Sequence, residues 1–173
     1  AEGSDIHIVE VGGTVGDYEG LSFIEAIRDF ANRVGRENCF YVHVVYVPFI
    51  HTSKEFKSKP AQNALHELRG FGINPDCVVV RTDEPAPHSI AEKIARFSGM
   101  NEDAVILLPN AKTVYEVPLT ISASGIGRVL ERFTDNHEAV DLSRWKNLVA
   151  AQTATHEQTV RIGLVAKYLD NED

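Results

Sequence analysis

Short apolar runs typical of β-strands alternate along this chain with segments whose apolar residues recur at helical spacing. A strand, a helix and a second strand in succession favour parallel pairing, because the crossover helix returns the chain to the starting edge of the sheet. The alternation therefore predicts an α/β fold with a mostly parallel sheet and helices on both faces. The predicted strands cover residues 6–10, 39–47, 77–81 and 104–108, and the predicted helices cover 22–34, 89–97, 118–133 and a segment that starts at Pro60.

The composition is that of an ordinary soluble globular protein. Its 173 residues suit one domain of common size, with 43% hydrophobic and 24% charged residues. The formal net charge of −8 argues against nucleic-acid binding and against a basic membrane-binding surface. Cys39 and Cys77 lie in apolar runs, which is typical of small buried side chains rather than of a disulfide or a zinc site. The sequence shows no signal peptide and no apolar run of membrane-spanning length, so we expect a cytoplasmic protein.

A carboxylate and a glycine-rich turn follow the first predicted strand. Glu10 stands at the strand tip, and Gly12, Gly13 and Gly16 come directly after it. Glycines let a backbone approach phosphates closely, and a carboxylate can hold the Mg²⁺ that accompanies them. The pattern predicts half of a nucleotide site, although a tight turn with a solvated carboxylate would look the same. A phosphate loop of the form G-x-x-x-x-G-K-[ST] does not occur in these residues.

A lysine cluster precedes the helix that starts at Pro60. Lys54, Lys57 and Lys59 occupy this loop, and a helix N-terminus with nearby lysines favours anion binding. A solvated surface run is the alternative interpretation. The loop follows a predicted parallel strand, so it should lie at the same sheet edge as the glycine turn. Arg81 should end the next strand there, where it could bind phosphate or pair with Asp83.

These motifs resemble those of the CTP synthase family in order and spacing over roughly residues 5–135. The resemblance is carried by residues 9–19, 23–28, 57–62, 72–76, 81–83 and 93–95, together with Tyr115, Val117 and Pro118. Residues 159–168 resemble the first strand of that family's glutaminase domain. The resemblance implies a partial amidoligase domain at 1–134, of P-loop NTPase-like architecture, an interdomain linker at 135–158, and the start of a glutaminase-like domain at 159–173. Within the linker, residues 142–150 suit a helix, and 160–168 suit a further strand.

The family's reaction implies the substrates and cofactors. CTP synthases use ATP and Mg²⁺ to phosphorylate the 4-oxygen of UTP, and ammonia released from glutamine then displaces the phosphate. They are feedback-inhibited by CTP and assemble as homotetramers. We expect this chain to be a piece of such an enzyme that lacks the phosphate-loop segment. It should therefore be inactive alone, and it should expose apolar strand surfaces at 6–9 and 77–80.

The resemblance also implies roles for particular residues. Glu10 corresponds to an Mg²⁺ ligand, and Lys57 is the candidate catalytic residue. The residues implied in UTP or CTP binding are Asp17, Tyr18, Glu19, Lys57, Ser58, Lys59, Pro60, Ala61, Gln62 and Lys93. Those implied in ATP binding are Gly12, Gly13, Arg81, Pro109, Asn110 and Ala111. The chain departs from the family pattern at Tyr18, Ala61, Glu84, Pro109, Asn110 and Ala166.

Two other functions are compatible with the sequence. The chain could be a non-catalytic module that senses nucleotides or assembles with other subunits, and an upstream phosphate loop in the full-length gene would argue for the enzyme instead. It could also belong to a related ATP-dependent ligase such as dethiobiotin synthetase, which shares an acidic, glycine-rich strand end. The segment Lys57–Gln62 argues against that ligase.

Overall fold

Three parallel strands form the central sheet. The computed structural model describes residues 3–155 and 160–165 of the chain. In chain order the strands are β1 (Val42–Val47), β2 (Phe49–Ile50), β3 (Glu55–Phe56), β4 (Cys77–Thr82) and β5 (Val105–Pro109). The sheet has the order β1-β4-β5 with both pairs parallel, and β2 and β3 form a separate antiparallel pair. Strand β4 is therefore the central strand, and both β1 and β5 pair with it.

Helices connect these strands and flank the sheet. They are α1 (Leu21–Val34), α2 (Lys59–Gly70), α3 (His88–Ser98), α4 (Val117–Ala123), α5 (Ile126–Thr134) and α6 (Ser143–Thr153). Short 3₁₀ helices cover Tyr18–Gly20, Arg36–Asn38, Glu102–Ala104 and Val114–Glu116. No helix in the described part of the chain is long and apolar enough to cross a membrane.

Helices lie on both faces of the sheet, which confirms the predicted α/β fold. Alternate residues of a strand point to opposite faces. Val78 and Val80 of β4 pack with Leu65 of α2 and Ile94 of α3 on one face. Cys77, Val79 and Ile106 pack with Val129 of α5 on the other face. Burial raises the pKa of the Cys77 thiol to about 11, as befits a packed side chain rather than a reactive one.

The predicted helix over 118–133 is two helices. Gly125 separates α4 from α5 and adopts a φ of +90°, a left-handed conformation that interrupts a right-handed helix. The predicted helix in the linker is confirmed as α6. The predicted strand over 160–168 is wrong for residues 160–165, which are in no strand, and its last three residues lie outside the described part.

Strand β1 is exposed on one face, so its predicted burial on both faces is wrong. Val42, Val44 and Tyr46 are exposed, whereas Val45 and Val47 are buried. The cause is position, because β1 lies at the sheet edge and the apolar cluster around α5 contains residues of β4 and β5 but none of β1. The strand also begins at Val42 rather than at residue 39.

Residues 6–10 are not a strand either. A strand needs a neighbour that satisfies its backbone N–H and C=O groups, and no strand in the described residues pairs with this segment. Ile6, Ile8 and Val9 are accordingly exposed, Ile8 to 88%. Exposure of the apolar side chains at 6–9 agrees with the prediction. The exposure expected at 77–80 is wrong, because β4 is covered on both faces and paired on both sides.

Burial of His43 on β1 predicts a dependence of stability on pH. His43 is 7% exposed, and burial lowers the pKa of its imidazole. The imidazole of His43 therefore takes up a proton more readily in the unfolded chain than in the folded one. As a result, the free energy of unfolding decreases as pH falls below the ordinary histidine pKa of about 6.5. Urea unfolding at pH 7.5 and 5.5 should show a larger loss of stability for the wild type than for His43→Leu. Equal losses in the two proteins would contradict this origin of the dependence.

Candidate functional site

The carboxyl ends of the three parallel strands bring their following residues to one edge of the sheet. The backbone N–H of Asn110, which follows β5, donates to the carbonyl oxygen of Thr82 at the end of β4, with an N···O distance of 2.9 Å. The Arg81 guanidinium donates to the Asn110 side-chain oxygen at 3.4 Å. Arg81 and Asn110, two of the residues predicted to bind ATP, are therefore neighbours. Pro109 is the last residue of β5, and Ala111 follows Asn110 directly.

Asp83 joins the end of β4 to the end of β1. Its carboxylate accepts a hydrogen bond from the Tyr46 hydroxyl at 2.6 Å and another from the Phe49 backbone N–H at 3.2 Å. The bond from Tyr46 and then that from Phe49 lower the pKa of Asp83, and the same contact with Asp83 raises the pKa of Tyr46. Asp83 is thus an ionised acceptor that holds the start of the β2–β3 hairpin, while Arg81 bonds to Asn110 instead.

The lysine loop follows this hairpin. The Lys57 backbone N–H donates to the Pro48 carbonyl oxygen at 3.0 Å, which closes the loop, and its ammonium pairs with the carboxylate of Glu55. Hydrogen bonds from Lys57 and Ser53 lower the pKa of Glu55, and the positive charge of Lys93 on α3 lowers it further. Lys57 therefore pairs directly with Glu55, and the charge of Lys93, 36 positions later in the sequence, acts on the same carboxylate.

The first turn of α2 contains both exposed and buried members of the predicted pyrimidine site. Lys59 and Pro60 are exposed, whereas Ser58, Ala61 and Gln62 are buried. The Gln62 side-chain amide donates to the Ser58 hydroxyl at 3.2 Å. The structure thus places the lysine at the surface, and it uses the three buried side chains to support the N-terminus of the helix.

The glycine turn is a tight turn against the flank of α2. The Thr14 backbone N–H donates to the Asp17 carboxylate at 3.1 Å, and the Asp17 N–H donates to the Thr14 carbonyl at 3.0 Å. Gly16 has a φ of +98°, and a Cβ there would lie 1.9 Å from a carboxylate oxygen of Glu67. The left-handed backbone conformation therefore favours glycine at this position, whereas the exposed Glu67 side chain could move aside.

The predicted metal ligand and the inhibitor segment lie around this turn. Glu10 is exposed and, within residues 3–155 and 160–165, has no hydrogen bond or ion pair from its side chain. Tyr18 is 90% exposed, and Glu19 and the two residues Gly12 and Gly13 are exposed as well. In the described residues, no hydrogen bond or ion pair links the glycine turn or the residues that flank it to the lysines. The lysines therefore form one group of predicted site residues, and Arg81 with Asn110 forms another.

Two residues of this edge escaped the sequence analysis. Tyr46 is the register partner of Arg81 in the β1–β4 pair, so an alignment of the two predicted strands could have placed it beside the edge. Glu55 was hidden because its pairing with the ammonium of Lys57 depends on how the β2–β3 hairpin and the loop after it fold. A sequence pattern has no means of showing such a contact.

The bonds of Asp83 predict a measurable shift at Tyr46. In Asp83→Ala the phenol loses its acceptor, so the pKa of Tyr46 should fall towards the ordinary tyrosine value of about 10. Hydrogen exchange at the Phe49 amide should also accelerate. Tyrosine NMR titration and amide exchange measure the two effects, and Asp103→Ala, which removes an exposed carboxylate elsewhere, is the control. A Tyr46 titration that is unchanged in Asp83→Ala would refute the bridging role.

Comparison with known proteins gives a consistent result. The family model described as CTP synthase N-terminus matches residues 1–134. The chain is 44% identical over 170 residues to a CTP synthase of Thermomicrobium roseum, which covers 98% of this chain and 31% of the relative. It is 43% identical over 171 residues to a CTP synthase of Aquifex aeolicus, covering 98% of this chain and 32% of that relative. It is also 43% identical over 173 residues to a CTP synthase of Methanocaldococcus jannaschii, covering 99% and 32%.

The chain thus spans about a third of the length of the curated relatives it matches. The family model, by contrast, covers well over half of the chain itself. The fold, with its parallel sheet flanked by helices, agrees with this match. The chain belongs to the CTP synthase family.

Proposed function

We propose that this chain supplies nucleotide-binding residues to an enzyme that aminates UTP to CTP at the expense of ATP. The observation that carries the proposal is the lysine loop at the N-terminus of α2, where Lys57 closes the loop through its backbone and Lys59 is exposed in the first turn of the helix. In a chain with a net charge of −8, such a local positive cluster favours a polyanionic ligand. The names of the similar proteins make a pyrimidine nucleotide the natural candidate.

A triphosphate would find two kinds of favourable group at this position. The first turn of α2 offers backbone N–H groups and the positive end of the helix dipole. Lys57, Lys59 and Lys93 offer charges on exposed side chains that can move to meet the phosphates. Buried Ser58, Ala61 and Gln62 keep the helix start in place, so their part in binding would be support.

Feedback inhibition by CTP would use the segment Asp17, Tyr18 and Glu19. The exposed ring of Tyr18 offers an apolar surface, and the Asp17 carboxylate is already used to fix the turn through Thr14. The proposal for this segment rests on the family resemblance and on its exposure.

ATP binding is proposed at the pair Arg81 and Asn110, with Pro109, Ala111 and the two residues Gly12 and Gly13 contributing. A guanidinium can bind phosphate oxygens with two parallel hydrogen bonds. Arg81 is exposed, and its side-chain hydrogen bond to Asn110 is long at 3.4 Å. A phosphate could therefore replace that bond at low cost.

Glu10 fits the requirements of an Mg²⁺ ligand. Its carboxylate is exposed and has no competing partner in the described residues, which leaves its lone pairs free. Mg²⁺ is commonly held by one or two carboxylates together with phosphate oxygens and waters. When bound, the ion would neutralise charge on the phosphates of ATP. The chain's own part is then to orient the nucleotides, with Lys57 placing a positive charge beside the pyrimidine nucleotide.

The remaining properties of the proposed enzyme belong to the whole protein. We include among them release of ammonia from glutamine, assembly into a homotetramer and a cytoplasmic location. Residues 1–134 would form part of the amidoligase domain, 135–158 the linker and 159–173 the start of the glutaminase domain. The 173 residues contain no phosphate-loop motif, so we expect the chain alone to form no CTP from UTP, ATP and ammonia.

Removal of Lys57 should weaken UTP and CTP binding together. A charge-assisted hydrogen bond contributes roughly 1.5–3 kcal/mol, so Lys57→Ala should raise both dissociation constants by about tenfold or more. Calorimetry on the complete enzyme measures both. Lys146→Ala, which removes an exposed lysine of α6, should leave both affinities unchanged. If Lys57→Ala bound UTP and CTP normally, the lysine cluster would not be the pyrimidine site.

Removal of Glu10 should affect the metal-dependent step and spare pyrimidine binding. In the complete enzyme, Glu10→Ala should abolish Mg²⁺-dependent phosphorylation of UTP, because the ion loses a protein ligand. The affinity for UTP measured without Mg²⁺ should stay at the wild-type value. Glu138→Ala, which removes an exposed carboxylate outside the candidate site, is the control. Near-normal turnover of Glu10→Ala would rule out the assignment of the metal ligand.

A further inference from the structure

A histidine and two glutamates meet on the surface between α3 and the 3₁₀ helix before β5. His88 is the first residue of α3, Glu92 lies one helical turn later, and Glu102 begins the 3₁₀ helix. The His88 Nε2 atom lies 3.5 Å from a carboxylate oxygen of Glu102 and 4.0 Å from one of Glu92. The three donor atoms all lie within 4.8 Å of one another. None of the three residues belongs to the proposed nucleotide site.

This spacing is close to that of a preformed zinc site. Zn²⁺ binds histidine nitrogen and carboxylate oxygen at about 2.0–2.2 Å with tetrahedral geometry, which sets neighbouring donor atoms roughly 3.3–3.5 Å apart. The pair His88 and Glu102 already has this separation. The pair His88 and Glu92 needs a contraction of about half an ångström, and the two glutamate oxygens, which lie within 4.8 Å of each other, must approach as well. Rotation of the glutamate side chains can supply both changes.

The ligands are carried by segments that the core holds in place. Ala91 and Ile94 of α3 are buried in the cluster that covers one face of the sheet. Ala104 is buried as well, and its backbone N–H donates to the Asn101 carbonyl at 3.0 Å, which closes the 3₁₀ turn that carries Glu102. A metal would therefore join two ordered segments.

The charges of the cluster also suit a divalent cation. In the described part of the chain, neither Glu92 nor Glu102 forms an ion pair with lysine or arginine. The adjacent carboxylate of Asp103 is occupied by Arg132 at 3.0 Å. Two carboxylates and a neutral imidazole balance the charge of one Zn²⁺. Because Mg²⁺ favours oxygen ligands in octahedral geometry, the histidine favours zinc over magnesium.

We propose that His88, Glu92 and Glu102 form a zinc site that ties α3 to the segment before β5. Three protein ligands leave a fourth position for water or another ligand. His88 and Glu102 also line a groove of about 420 Å³, together with Ser124 and Arg128. A small anion in this groove could then serve as the fourth ligand.

Zinc titration of the 173-residue chain tests the site directly. Competition with a fluorescent zinc chelator should show one Zn²⁺ bound per chain. Residues that only hydrogen-bond to the ligands of a metal already contribute 10–100-fold to metal affinity, and loss of a ligand itself should have at least that effect. His88→Ala and Glu102→Gln should therefore each weaken zinc binding by at least about tenfold. Zinc should also raise the melting temperature of the wild type but not of His88→Ala, since only a folded site binds the ion. Mg²⁺ at the same concentration should do neither.

A second histidine provides the matched control. The His137 Nε2 atom lies 3.6 Å from a carboxylate oxygen of Asp135, and in the described residues His137 forms no ion pair with a second carboxylate and belongs to no group of three potential metal ligands. His137→Ala should keep wild-type zinc affinity. The proposal is overturned if His88→Ala binds zinc as tightly as the wild type, or if His137→Ala loses as much affinity as His88→Ala does. The three substituted side chains are mostly exposed, so loss of folding is not expected, and circular dichroism verifies it.

Discussion

Strand β4 is the element on which the rest of the structure depends. It pairs with β1 on one side and with β5 on the other, and five of its six residues are buried. A strand in that position must be apolar on both faces, so it needs a helical layer on each. Helices α2 and α3 supply one layer and α5 the other. The pairing of β4 with β1 and β5 then fixes the direction of these two strands and their position along the strand axis.

The chemistry of the carboxyl edge is a consequence of that register. Parallel strands end at the same edge, so Tyr46, Arg81 and Asn110 become neighbours although they come from three strands and their loops. Asp83 then ties the end of β4 to the β2–β3 hairpin, and the hairpin leads into the lysines. In this way a packing requirement in the core determines where positive charge collects in an acidic chain.

Sequence patterns predicted the parts of the fold that depend on local spacing and direct burial. Strand β4 and helices α1 and α3 differ from the prediction by one residue at most at each end. The predictions failed where the structure or burial of a segment depends on whether another element lies beside it. Residues 6–10 have the composition of a strand, but no described strand pairs with them, and β1 has the composition of a buried strand but lies at an edge. Apolar composition indicates that a segment prefers burial, yet it carries no information about whether a partner is present.

The same distinction separates the two halves of the candidate nucleotide site. Arg81 and Asn110 are placed by strand register and the lysines by the start of α2, so their positions follow from the sheet and from the helix that packs on it. Glu10 and the glycine turn are placed by local means, namely the turn bonds between Thr14 and Asp17 and the packing of Gly16 on α2. The sequence showed the candidate residues of both halves. It could indicate a shared sheet edge only for the lysines, Arg81 and Asn110, which follow paired strands. Strand pairing is what relates the order of residues along the chain to their positions in the fold.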